Sequence, residues 1–117
     1  VKIIGIDSGA EAAEALMRLP APPTAIFAVN DNTAIGALSS LQRLGLSVPN
    51  DVSLVGYNDI PIVSRLPTPL TSVRVPFDQI ANAALDLLTH GPTGEHDRIK
   101  VATPTLIPRR STAHPPR

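Results

Sequence analysis

The chain has 117 residues with Lys plus Arg equal to Asp plus Glu at ten each, no cysteine, and a hydrophobic fraction of 43%; its mean hydropathy is +0.12. That suffices for one small domain and is too apolar for wholesale disorder. The neutral balance excludes an electrostatic footprint for nucleic acid or an anionic membrane. The absence of cysteine excludes disulfides and zinc–thiolate sites, and no run approaches the roughly 18 apolar residues of a membrane span. Phe27, Tyr57 and Phe77 are the only aromatic residues, so the core must rest on Ile, Leu, Val and Ala.

The chain opens directly in an apolar run, without Met and without a basic n-region, which is the expected look of a fragment. Ile3–Ile6 reads as a short buried strand, followed by a helix over about Ala10–Leu19 that Asp7 or Ser8 would cap and Pro20 would stop. Ala25–Val29 is near-continuously apolar and predicts a strand buried on both faces of a parallel sheet. A helix from about Thr33 to Leu44 follows, with Asp31 or Asn32 as its cap. Its apolar Ala34, Ile35, Leu38, Leu41 and Leu44 keep the helical period, and Gly45 ends it. Val52–Tyr57 is the third strand. Ile60-Pro61 opens a turn or short helix, and Thr71–Val75 is the fourth strand. Asp78 would cap an amphipathic helix to about Thr89, with Ile80, Ala84, Leu87 and Leu88 on one face. Gly91–Arg98 reads as a hairpin-like loop, Ile99–Ala102 and Leu106–Pro108 as short strands, and Thr112–Arg117 as a disordered tail. Strands alternating with helices of this length define an α/β layered fold.

Enzymatic chemistry finds no support in these residues. Gly5-Ile6-Asp7-Ser8-Gly9 is not a nucleophile elbow, and nothing fixes a histidine beside Ser8. His90, His96 and His114 lack ligand spacing, so no metal site is expected, and neither G-x-x-x-x-G-K-S/T nor G-x-G-x-x-G, the glycine motifs that cradle phosphates, is present. No cofactor is implied. What stands out is polar residues after strands. Asn30-Asp31 follows the second strand and Asn58-Asp59 the third, where open α/β sheets bind ligands. A primary amide offers donors and acceptors to a neutral hydroxylated ligand. Asp31 sits where a helix cap is expected, and Gly56 suggests close backbone approach near the crevice.

Pro23 through Asp31, the Ala34-Ile35-Gly36-Ala37 helix, Val48-Pro49-Asn50-Asp51-Val52-Ser53, Val55-Gly56-Tyr57-Asn58-Asp59, Pro69-Leu70-Thr71-Ser72-Val73 and the ending Leu106–Thr112 resemble, as an ordered set, the LacI/GalR family of bacterial transcription regulators. The resemblance implies a three-layer αβα fold with a mainly parallel sheet, periplasmic-binding-protein-like. Residues 1–111 would be part of an effector-binding and dimerisation domain, mainly its C-terminal subdomain. Residues 76–90 would pack on an N-terminal subdomain outside this chain.

It implies a small effector, sugar or purine-like, held between subdomains. Asn30 and Asn58 would supply hydrogen bonds, Phe77 an apolar lining, and Val75 and Ser8 looser contacts. The family more often has Asp where Asn58 stands, which bears on ligand identity. It further implies a cytoplasmic homodimer through Ile35, Leu38, Ser39 and Leu66. DNA would be touched only by a helix-turn-helix that these residues do not contain. A periplasmic sugar-binding protein of an ABC transporter shares the fold and is the alternative expectation.

Overall fold

A computed structural model of the chain describes residues 4–91 and 98–117. The expected start of the first strand at Ile3, and most of the Gly91–Arg98 loop with His96, lie outside the described residues. The chain divides into two compact units, Val1–Arg74 with Leu106–Arg117, and Val75–Thr105.

In the first unit, here called the body, helix Ile6–Met17 (α1) precedes strand Ala25–Phe27 (β1), helix Asp31–Arg43 (α2) and strand Ser53–Asn58 (β2). A 3-10 turn at Pro61–Arg65 leads to strand Thr71–Arg74 (β3). β1 pairs in parallel with β2, and β2 in parallel with β3, with Phe27 opposite Val55 and Gly56 opposite Ser72. Strand Thr105–Ile107 (β4) completes the order β1-β2-β3-β4.

The core is built where the helical and strand periods meet. Ala34, Ala37, Leu38 and Leu41 of α2 cluster with Ala13 of α1 and with Ala28, Val52, Leu54, Val63 and Leu70. Small residues let the two helices come together. A Cβ on Gly9 would run into the carbonyl of Thr33, and one on Gly36 into the carbonyl of Ile6, so backbone meets backbone at both points.

Several expectations are corrected here. Ile6 starts a helix instead of ending a strand, because Gly5 supplies an extended N-cap and Ser8 at the third helical position reaches back to it. A short apolar run does not by itself separate strand from helix. β1 is not buried on both faces. Ile26 and Ala28 face the helices, whereas Phe27 and Val29 are 67% and 60% exposed. No strand forms at Ile99–Ala102, where Ile99 and Val101 stand exposed. The expected tail does not begin free of the body: Thr112 Oγ1 lies 3.0 Å from Thr71 Oγ1, and the N–H of Ala113 donates to Ser53 Oγ at 3.1 Å. Ser111 is fully buried; its carbonyl accepts from Leu54 N–H, and its hydroxyl accepts from Thr71 N–H while donating to the Leu54 carbonyl.

In the second unit, helix Phe77–His90 (α3) follows Pro76, its N-cap, and Asp78 lies in the first turn instead of capping. α3 has no buried residue. Ile80, Ala83, Ala84 and Leu87 line one side of a groove of about 470 Å³, with Ile99 and Val101 on the other. Among the described residues no helix is long and apolar enough to cross a membrane.

Candidate functional site

Parallel register brings the ends of β1 and β2 to one edge. Phe27 and Val55 are opposite one another, and Asn30 and Asn58 each stand three residues further on. Asn30 is the N-cap of α2, with Oδ1 accepting from Thr33 N–H at 2.9 Å. The cap therefore falls at Asn30, one residue before Asp31 and two before Asn32, the positions expected for it. Capping uses only the carbonyl end of the amide. Among the described residues neither the Asn30 amide nitrogen nor any side-chain atom of Asn58 makes a hydrogen bond, and both residues are half-buried. That leaves donors and acceptors without a protein partner at two strand ends, an arrangement able to bond hydroxyl or amide groups on a neutral molecule.

Asp31, displaced from the cap, does something else. It is 1% exposed and accepts from Ile60 N–H at 2.8 Å and from the Ser72 hydroxyl at 2.7 Å. The carboxylate lies over Gly56, where a Cβ would collide with Oδ1; the glycine is there because the carboxylate needs the room. Ser72 Oγ in turn accepts from Asp59 N–H at 3.1 Å. The loop after β2 is thus fixed from beneath by two polar side chains.

It is also strained. Asn58 has φ 107° and Asp59 φ 57°, both in the positive region that L-residues enter at a cost, Asn and Asp least reluctantly. Such strain persists only where the surroundings over-determine it.

Asp59 is held from the side as well. Its carboxylate, 4% exposed, accepts from Arg74 Nε at 2.8 Å and lies 2.6 Å from Arg109 Nη1. The second contact is a close ion pair and not an aligned hydrogen bond. Burial pushes the Asp59 carboxyl up, and the guanidiniums of Arg109 and Arg74 together outweigh it and hold the group below its ordinary value of 3.8. The folded state then binds fewer protons than the unfolded chain in acid. The stabilisation is complete above about 3.8 and is lost as pH falls below 3.8 through the folded value. Stability curves of the native protein and D59N are expected to converge as pH falls below 3.8; a gap that stays constant on acidification would contradict the ion-pair account.

The other expected site residues fall as follows. Ser8 lies in the first turn of α1, beside the first turn of α2 through the Gly9–Thr33 approach, but its hydroxyl is engaged with Gly5, accepting at 2.8 Å and donating at 3.0 Å. Val75 and Phe77 belong to the second unit, Val75 half-buried and Phe77 exposed at the start of α3. Of the expected dimer residues, Leu38 is buried in the body's own core and offers no surface. Ile35 and Leu66 are partly buried against that core, and Ser39 is exposed. Sequence reasoning missed the clamp roles of Asp31, Ser72 and Arg109. The available signal was the juxtaposition of Gly56 with an Asp after the neighbouring strand.

A family model described as periplasmic binding protein-like domain matches residues 3–112. The lactose operon repressor of Rhizobium radiobacter is 38% identical over 110 residues, covering 94% of this chain and 97% of that sequence. The ribose operon repressor of Escherichia coli is 35% identical over 108 residues, covering 90% of this chain and 32% of its own length. Among solved structures, a LacI family transcriptional regulator from Mycobacterium smegmatis superposes with a TM-score of 0.78 at 34% identity, over 96% of this chain and 43% of that one. A sugar-binding LacI family regulator from Escherichia coli, complexed with phosphate, does so with a TM-score of 0.81 at 32% identity, over 95% and 40%. The chain therefore spans about a third of the ribose repressor and about two fifths of these regulators. On the match over residues 3–112 and these relatives, the chain belongs to the LacI family of transcriptional repressors, as part of its periplasmic-binding-protein-like domain.

Proposed function

We propose that the chain is an effector-binding and dimerisation portion of a LacI-type repressor that takes a small sugar or nucleobase-like ligand at the carboxyl edge of its sheet. The observation that carries this is the pair Asn30 and Asn58, half-buried at equivalent strand ends with hydrogen-bonding capacity unspent. The family resemblance adds Phe77, Val75 and Ser8 as further contacts, Ser8 after giving up its bonds to Gly5. The ligand acts by preferring one of two states of the repressor, so its effect is bounded by its differential affinity for them. Ile35, Ser39 and Leu66 form the surface offered to a second copy, with Leu38 supporting it from beneath. DNA contact belongs to a helix-turn-helix carried elsewhere in the protein, the setting is cytoplasmic, and no catalytic step or cofactor is involved.

The native reading frame around these residues gives a direct check. A helix-turn-helix within roughly 60 residues of its start is the expected result. A secretory signal peptide in that place would overturn the repressor reading in favour of a periplasmic transport receptor. A thermal-shift panel of ribose, glucose, lactose, adenine and guanine on the native protein is expected to show a rise with at least one member. A flat response across the panel would count against both ligand classes.

A further inference from the structure

The chain leaves the body after Arg74 and re-enters it at Leu106. One carboxylate holds a residue at each of these two points. Asp59 Oδ2 accepts from Arg74 Nε at 2.8 Å, and Arg74 is the last residue of the body before the exit. Asp59 Oδ1 lies 2.6 Å from Arg109 Nη1, and Arg109 stands three residues after the return. Arg109 is anchored twice more: Nη1 donates to the Leu70 carbonyl at 2.8 Å, and its backbone N–H donates to Thr71 Oγ1 at 2.9 Å. Asp59 is itself braced by its N–H on Ser72 Oγ, which leads to the buried Asp31.

An exposed ion pair at such a place would carry little weight, since pairs in water contribute about 0–1 kcal/mol. This one is different in kind. The Asp59 side chain is 4% exposed and that of Arg109 14%, so the charges are largely withdrawn from solvent and screened little by salt. Two cations share one anion, so losing the anion takes that counter-charge from both guanidiniums. Neutralising Asp59 therefore acts on both connections at once, whereas neutralising Arg74 acts on one. That asymmetry is what a latch has and a plain stabilising contact lacks.

We propose that Asp59 is a latch on the two connections between the units: its carboxylate fixes the path of the chain as it leaves at Arg74 and as it returns at Arg109, and both paths loosen together when it is lost. The inference does not depend on any ligand being bound at Asn58. It makes the end of β2 at Asn58, the loop that follows it and the two connections parts of one braced assembly.

Amide hydrogen exchange on the 117-residue chain, read by mass spectrometry, tests it with D59N and R74Q. The informative amides are Phe77, bonded to the Val75 carbonyl at 2.9 Å, and Arg109 and Arg110, bonded to Thr71 Oγ1 and to the Pro69 carbonyl. In D59N, exchange in peptides covering both positions is expected to rise at least tenfold, while peptides within 31–43 of α2 keep their native rate. R74Q, at a side chain already 57% exposed and so safe for folding, is expected to speed only the peptide covering Phe77. Equal acceleration of α2 in D59N would reduce Asp59 to general stabilisation and overturn the latch. So would native exchange at either connection. Should D59N fail to fold, R74Q decides alone: no change at Phe77, or an equal change at Arg109, refutes the proposal.

Discussion

Replacing Asp31 by alanine is expected to destabilise the chain by about 3–5 kcal/mol, a large share of the roughly 5–15 kcal/mol that holds a domain of this size together. The carboxylate is 1% exposed and its two oxygens answer two different donors, the Ile60 N–H and the Ser72 hydroxyl. Alanine strands both donors in a site that water does not fill, and each orphan costs about 1–3 kcal/mol. The void left over Gly56 adds a packing term. Asparagine is expected to recover only part of the loss, since one of its two terminal atoms is a donor pointed at another donor. In urea the midpoint should fall by about 1–2 M with the slope unchanged. A loss below about 1 kcal/mol would contradict the clamp that the geometry describes beneath the end of β2. The consequence for the site is specific: the positive φ angles at Asn58 and Asp59 are kept by this clamp, so the loop should relax before the rest of the body does.

The second large effect is expected at Gly36→Ala. On helix propensity alone alanine is better than glycine by about 1 kcal/mol. The position is inside α2, where that gain would ordinarily be collected. Packing reverses the sign. A Cβ there would overlap the Ile6 carbonyl and sit 3.0 Å from the backbone nitrogen of Ala10, so no side chain can rotate out of the way. α1 and α2 must separate, with a cost of about 1–3 kcal/mol or more after the propensity gain is deducted. The melting temperature is expected to fall by on the order of 10 °C. Gly5→Ser is the control: nothing lies within 4 Å of the added atom, φ is extended, and serine is a good cap, so the change should stay within about 0.5 kcal/mol. A stabilised Gly36→Ala would show that the helices are further apart than described.

These two cases mark where sequence reasoning succeeds and where it stops. α2 and β2 are legible because periodicity, a glycine stop and an apolar run agree at every position, and the structure moves their ends by only a residue or two. The juxtaposition of Asn30 and Asn58 is legible for the same reason: parallel strands put them level. What is not legible is which of two adjacent polar residues takes which task. Asn30 and Asp31 can both cap a helix, and the choice is made by Ser72 and Ile60, about 30 to 40 residues away in sequence. The run Ile3–Ile6 and the β-branched pair Ile99 and Val101 mislead because apolar content does not say whether a hydrogen-bonding partner strand is present. For β1, a run apolar on both faces predicts cover on both faces, whereas Phe27 and Val29 stand exposed among the described residues. Asp59 was legible as a loop residue but not as a partner of Arg109, because an ion pair over 50 residues leaves no local signal.

The central claim is that a small neutral ligand is held at the carboxyl edge through Asn30 and Asn58, and titration calorimetry addresses it most directly. The native protein would be titrated with ribose, glucose, lactose, adenine and guanine, beside N58A and a variant carrying Asn30→Ser, which keeps the cap while removing the amide nitrogen. The account predicts saturable binding of at least one of the five and a loss of about tenfold or more in each variant, the worth of one buried hydrogen bond left unmade. Binding that survives both substitutions with unchanged affinity would place the ligand elsewhere and contradict the account.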